Sequence, residues 1–502
     1  MRYALQVVCT LACVLVLAAP GAVLSAADTS VSIAQGIDAQ TLDPQMDTLG
    51  SSTAIFSNLY DPLVMIDNTG KVVPALATGW KFLNDTTLEL TLRRGVTFQN
   101  GEAFTARDVV FTLQRMMATD HPVLTHPWIA DIVKSVVAVD DYTVRITTAA
   151  PDAPLLRRLE LWFILPADTF QKEGAQEFGQ HPVGTGAYQA GPWAKNDHLT
   201  LNAYAEYWRG APKISQVTFR VIPEDFARYV ALKTGAADMV VNLPPERVAE
   251  AQQDPNLRVE AIHASRTIFI GMNTWNPPFN NVKVRQALNY AVDATQIVQT
   301  ILKGDGYPNP SPVNQTTFGY CPTLTPYPHD PAKARALLAQ AGYPHGFTAT
   351  LATTIGRYLD DVQVAQAVSG QLETVGVHAQ VAQEEWPVYW GAWLSKKQPG
   401  MYLLGFGGAP LDADYVMASH FDSTRRGLYY NSPTSDKLIA EGRRTTSDAA
   451  RKQIYCQLQQ YLQAQAPWIY LFDQQDIYGL TKRVVWQPRV DELIWMYDAK
   501  LQ

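Results

Sequence analysis

The stretch Thr87-Leu-Glu-Leu-Thr-Leu-Arg-Arg-Gly-Val-Thr-Phe-Gln-Asn-Gly-Glu-Ala-Phe-Thr-Ala-Arg-Asp-Val-Val-Phe-Thr-Leu-Gln-Arg-Met-Met117 changes its hydrophobic period halfway along. Leu88, Leu90 and Leu92 alternate with polar residues, the pattern of a strand with one buried face. After Thr105 the apolar residues Val109, Val110, Leu113 and Met117 recur at helical spacing instead. Thr105, with Asp108 three residues on, reads as the N-cap of that helix.

The same exchange of periods runs through the rest of the chain. Tyr142-Thr-Val-Arg-Ile-Thr147 and Gln216-Val-Thr-Phe-Arg-Val221 alternate as strands, while Asp330-Pro331 opens a helix that Gly342 closes. Asp361 to Val375 carries a helical apolar face with Gly376 as its stop, and Ala449 to Ala464 repeats the pattern before Pro467. Strands and helices are interleaved without low-complexity linkers or a short repeat, so the class is α/β. In Val183-Gly-Thr-Gly-Ala-Tyr188 the glycine spacing is wrong for a nucleotide loop, and His181-Pro182 stands where a strand should precede it. A tight turn requiring positive φ at the glycines is expected there.

At the N-terminus, Met1-Arg-Tyr is followed by an apolar run, Pro20-Gly21 and the small-residue exit Ser25-Ala26-Ala27, the layout of a secretory signal peptide covering 1–27. No later apolar run approaches membrane-spanning length. Without Arg2, 39 basic side chains stand against 47 acidic ones, a net charge of −8 that argues against nucleic acid or an anionic membrane surface as partner. Cys9 and Cys13 leave with the signal, and the remaining Cys321 and Cys456 read equally as one disulfide or two isolated thiols. The mature length suits two or three domains.

The common catalytic signatures are absent: no Gly-x-Ser-x-Gly, no His-Glu-x-x-His, no Cys-x-x-Cys after the signal and no Gly-x-x-x-x-Gly-Lys-Ser/Thr. The nine histidines show no metal-ligand spacing, and no cofactor or metal is expected. Asp412 and Asp414 follow a glycine-rich turn in aromatic company, with His420 close behind. They read as a ligand clamp, as caps of a turn or of the following helix, or, in a different class, as the acids of a secreted hydrolase.

Ordered segments resolve the class. Thr41-Leu-Asp-Pro44, Asn58-Leu-Tyr-Asp-Pro-Leu63, Pro74-Ala-Leu-Ala-Thr-Gly-Trp80, Leu92-Arg-Arg-Gly-Val-Thr-Phe98 and Phe104-Thr-Ala-Arg-Asp-Val-Val-Phe111 come first. Pro182-Val-Gly-Thr-Gly-Ala-Tyr188, Tyr207-Trp-Arg-Gly-Ala-Pro212, Pro277-Pro-Phe279, Val284-Arg-Gln-Ala-Leu-Asn-Tyr-Ala-Val-Asp293 and Leu337-Leu-Ala-Gln-Ala-Gly-Tyr343 follow. Together they resemble, over nearly the whole mature chain, the family 5 extracellular solute-binding proteins of peptide and nickel ABC importers.

The resemblance implies a two-lobed periplasmic clamp, type II and cluster C-like, with an extra subdomain in the first lobe. The first lobe maps to 28–50, 183–270 and 473–502, the inserted subdomain to 51–182 and the second lobe to 271–472. It implies a monomeric, non-enzymatic protein that captures a di- or oligopeptide in the interlobe cleft and hands it to a membrane permease and its ATPase. A nickel chelate, an opine or a sugar-like solute is the alternative ligand. By the same resemblance Asp414, or Asp412, would hold a peptide ammonium and Arg357 a ligand carboxylate. Trp386, Tyr389, Trp390, Phe406 and Trp275 would supply aromatic walls, and His420 would matter only for a metal chelate.

Overall fold

The computed structural model describes residues 29–120, 122–398, 400–424 and 429–502, so the expected signal segment 1–27 lies outside the described residues. The strand Thr87–Leu92 and the helix Ala106–Met117 form where the period changes. Thr105 Oγ1 accepts the Arg107 N–H, and the Asp108 carboxylate accepts the Thr105 N–H at 2.9 Å. A cap of this kind stabilises a helix by about 1 kcal/mol. The strand joins Ala77–Asn84, Thr143–Thr148 and Val133–Asp140 in a four-stranded antiparallel sheet. Leu88, Leu90, Val144 and Ile146 on one face of it pack on Val109 and Leu113 of the helix, giving this inserted region its own core.

The rest of the chain is organised by one eleven-stranded sheet. Its order runs Val377–Glu384, Phe347–Thr354, Met401–Phe406, Leu257–Met272, Trp468–Thr481, Met239–Val241, Ser30–Gln35, Gln216–Val221, His198–Ala203, Tyr188–Ala194, with Gly306–Pro308 added on Trp468–Thr481. The two long strands Leu257–Met272 and Trp468–Thr481 belong to both halves. Leu257 to His263 pair with Thr481 to Gln475, and Thr267 to Gly271 pair with Asp473 to Trp468. Between these ladders Ala264, Ser265 and Arg266 stand opposite Gln474 alone. A bulge of three residues against one bends and twists the ribbon. The two lobes of the clamp are therefore the two ends of a single ribbon, joined where its ladder is broken.

Gly184 and Gly186 correct one expectation, because neither adopts positive φ. A Cβ on Gly184 would lie 2.0 Å from Leu59 O, and one on Gly186 would lie 2.4 Å from Leu59 C. These glycines permit close approach to the helix Gly50–Leu59 and are not there to form a left-handed turn. Cys321 and Cys456 form a disulfide that fastens the loop before Pro331 to the helix Asp448–Gln465. Among the described residues no helix is long and apolar enough to cross a membrane.

Candidate ligand-binding site

Parallel pairing brings the loops of both lobes face to face. Ser30–Gln35 runs parallel to Gln216–Val221 and Met239–Val241, and Phe347–Thr354 runs parallel to Val377–Glu384 and Met401–Phe406. Loops leaving the carboxyl ends of such strands are where α/β folds place their ligands. Here the two sets meet: a Cβ on Gly36 would lie 2.3 Å from Gly356 O, and one on Gly356 would lie 2.2 Å from Pro223 O. The lobes close through bare backbone at these points.

Between them lies a small cavity of about 50 Å3, partly open to solvent. Gln35 and Asn242 line it from one lobe, Arg357 from the other, and Arg266 and Gln474 from the broken ladder. The Arg357 loop is held by Asp361, whose carboxylate accepts the backbone N–H groups of Gly356, Arg357 and Tyr358 at 3.0–3.2 Å and the Thr354 hydroxyl at 2.7 Å. The Arg357 guanidinium lies over the rings of Tyr358 (5.0 Å) and Trp386 (5.4 Å). It makes no hydrogen bond or ion pair with a described residue, and its Nε is buried. Burial, and then the neighbouring Arg266 cation, lower its pKa. An anion placed here would relieve both effects. Arg266 is matched by Glu492, with which it forms an ion pair. Burial and the nearby Glu492 push Asp476 up to about 7.

The two aspartates have protein partners. Asp412 caps the helix Ala413–Phe421 by accepting the Asp414 N–H at 3.0 Å, and it receives two hydrogen bonds from Arg451 at 2.8 and 3.1 Å. Asp414 accepts from Arg158, from Arg443 at 3.1 Å and from the Tyr455 hydroxyl at 3.3 Å. Arg158 comes from the inserted region, so this buried pair joins that region to the second lobe; the backbone bond from Ala153 N to Arg443 O, 2.8 Å, reinforces the seam. Burial works against the Arg158 charge, but Asp152 and Asp414 outweigh it and the guanidinium holds its proton more tightly than usual.

The aromatic residues divide. Trp386 stacks on Trp390 at 5.3 Å and on Tyr389 at 5.9 Å, next to Arg357, while the Tyr389 hydroxyl donates to Leu403 O inside the second lobe. Phe406 meets Tyr415 at 5.0 Å, and Tyr415 touches Trp128 of the inserted region at 6.1 Å. His420 is 1 % exposed, edge-on to Phe406 at 4.5 Å and to Trp468 at 5.1 Å. Trp275 is remote from these loops. It follows Met272, which pairs with Met401 at the far end of Met401–Phe406, and it packs on Tyr429. Among the described residues no group of three potential ligands could hold a metal.

Sequence reasoning missed Arg266, Gln474 and Glu492 at the cavity and Arg158 at the seam. None lies in a motif. Only the pairing of strands far apart in the chain brings them to these positions.

The model of the bacterial extracellular solute-binding proteins, family 5 middle region, matches residues 71–427. The glutathione-binding protein GsiB of Salmonella typhimurium is 31 % identical over 455 residues, 88 % of each chain. GsiB of Pectobacterium atrosepticum is 30 % identical over 485 residues, 93 % of each chain. The periplasmic binding protein DppA of Helicobacter pylori, solved with the peptide STSA, superposes with a TM-score of 0.88 at 26 % identity, covering 94 % of this chain and 98 % of its own. With its two-lobed α/β clamp, the chain belongs to the family 5 extracellular solute-binding proteins, which serve ABC importers as substrate-binding components and are not enzymes.

Proposed function

We propose that the protein captures a small peptide between its lobes and delivers it to an ABC permease and ATPase, with Arg357 as the anchor for a ligand carboxylate. The observation that carries this reading is the Arg357 guanidinium, which lines the interlobe cavity, backed by Trp386 and Tyr358, and makes no hydrogen bond or ion pair with a described residue. The relatives' glutathione and the peptide of the superposed structure both bear such a carboxylate. Trp386 supplies apolar surface beside the anchor, with Trp390 stacked on it and Tyr389 behind it, while Phe406 with Tyr415 offers a second apolar wall. Asp412 and Asp414 act through their arginines, closing the seam between the inserted region and the second lobe.

The chain works as a monomer in the periplasm after loss of residues 1–27. Its lobes follow the limits 28–50, 183–270 and 473–502 for the first, with 51–182 inserted, and 271–472 for the second. The test is thermal stabilisation of the ligand-free mature protein by glutathione, α-linked peptides of two to five residues, a nickel–histidine chelate and an opine. Stabilisation by peptides, weakened by about 2–4 kcal/mol in Arg357→Ala, is expected. Stabilisation by the chelate or the opine alone would overturn the peptide reading.

A further inference from the structure

The loop that follows Phe347–Thr354 ends in an acid that the binding cavity does not use. Asp360 is 6 % exposed and has a left-handed backbone, φ +49° and ψ 35°. That conformation is strained for a residue with a Cβ, although aspartate tolerates it better than most. Asp360 stands at the N-cap of the helix Asp361–Glu373, yet its side chain caps nothing and its carboxylate makes no hydrogen bond or ion pair with a described residue. A charge so placed is costly to bury.

The groups around it come from the other half of the sheet. Gly356, four residues earlier, lies against Pro223, where a Cβ would be 2.2 Å from the backbone oxygen. Pro223 leads into the helix Asp225–Lys233, and the strand Met239–Val241 leads into the helix Pro245–Gln253. Each of these helices carries an acid in its first turn, Asp225 and Glu246, and Glu224 stands at the N-cap of the former. Helix starts favour anions, so Asp225 and Glu246 keep their charge and Asp360 must yield. The nearby bases are engaged elsewhere. Arg228 donates to Ile222 O, Pro223 O and Val241 O at 2.7–2.9 Å, Arg247 lies 3.3 Å from Glu250, and Lys303 donates to Thr300 O at 2.8 Å. Asp361, the neighbour on the same helix, adds a further negative charge and spends its oxygens on the Arg357 loop. Burial, and then Glu246 and Asp225, push Asp360 up to about 7.

We propose that Asp360 is a proton-operated latch on the clamp: closing carries its carboxylate against the acidic starts of two helices of the opposite lobe, so the lobes close readily only when Asp360 is protonated. The proposal rests on the reading of the two halves as lobes that open and close, and not on which solute they capture. In the open form the carboxylate faces water and titrates near its ordinary value of 3.8, so the closed form holds a proton that the open form has released. Closing is therefore favoured below about 7 and opposed above it. The closed-to-open ratio falls on the order of thirtyfold between pH 5.5 and 8.5.

The test measures that ratio without ligand. Spin labels are attached to Val230→Cys and Val388→Cys, exposed positions in the two lobes, and Cys321 and Cys456 are already joined to each other. Pulsed electron resonance on the ligand-free mature chain then gives the distribution of interlobe distances from pH 5.5 to 8.5. The short-distance population should grow as pH falls, with a midpoint near 7. Asp360→Asn should remove the dependence and leave the chain as closed at pH 8.5 as the unaltered protein is at pH 5.5. Glu246→Gln alters an exposed residue and should move the midpoint to lower pH, which keeps the test decisive if Asp360→Asn folds poorly. A distribution indifferent to pH, a response that survives Asp360→Asn, or a midpoint unmoved by Glu246→Gln would overturn the latch. Such a result leaves the peptide reading intact, and a failure of every peptide to stabilise the protein leaves the latch standing.

Discussion

Replacing Arg158 by alanine should act on closing more than on folding. Its guanidinium side chain is 7 % exposed and its partner Asp414 1 %, and the pair joins two separate cores, that of the inserted region and that of the second lobe. Removal leaves Asp414 with Arg443 and Tyr455, and leaves Asp152 with Arg443 at 3.9 Å. Breaking one side of a buried pair costs about 3–5 kcal/mol. In an open clamp Asp414 would keep Arg443 and Tyr455 of its own lobe, so the loss of its bond to Arg158 weighs on the closed form, while the Arg158–Asp152 pair is lost from both forms. A loss of that size shifts the open–closed balance by roughly a hundredfold to several thousandfold, and apparent ligand affinity falls with the population of the closed state. Calorimetric affinity for the best-stabilising peptide, set beside the melting temperature of the ligand-free protein, checks this. Affinity should fall at least a hundredfold while the ligand-free melting temperature moves little. Unchanged affinity with a melting temperature lowered by many degrees would show that the pair holds the fold together and not the closed state.

Three other perturbations have definite outcomes. In Gly36→Ala the new Cβ would meet the backbone oxygen of Gly356, which has no flexible side chain to yield, so ligand affinity should drop tenfold or more with little change in ligand-free stability; calorimetry and melting curves check it. Asp476 is an acid pushed up to about 7 when folded, so the stability linked to it is present below the ordinary carboxylate pKa and is lost as pH rises through about 7. Asp476→Asn should therefore flatten the stability profile measured by urea titration between pH 5 and 8, removing a decline on the order of a few kcal/mol. Cys321→Ser opens a link between residues 135 apart and should cost about 2–5 kcal/mol, and a reductant should lower the melting temperature of the unaltered protein but not that of the variant.

Local features of the fold were legible because they depend on neighbours in the chain. The cap at Thr105 and Asp108, the strand Gln216–Val221 and the helix Pro331–Gln340, capped by Asp330 and followed by Gly342 at φ +93°, all form where their patterns place them. Gly184 and Gly186 were read as a turn because a glycine that makes room for a distant backbone looks the same in sequence as one that adopts positive φ. The site was legible only in part, for the same reason. Arg357 is marked by its place after a strand, but the partner of Asp414 lies 256 residues away, and the pairing that neutralises its charge has no local signature. Trp275 shows the reverse limit: an aromatic residue after a strand says nothing about which end of the sheet it occupies until the strand's direction is known.

The broken ladder also governs when a ligand is read. Arg266 and Gln474 belong to the stretch where the ladder joining the lobes is broken, the point about which a closing rotation would turn, and both line the cavity. Points near an axle travel least, so groups seated there keep their neighbours through the whole swing, whereas Trp386 would ride on the moving lobe. A ligand would thus be inspected twice: its innermost group is tested on arrival, and its outer part only once the lobes have swung shut. A solute that passes the first inspection and fails the second is released before the permease ever meets a closed clamp.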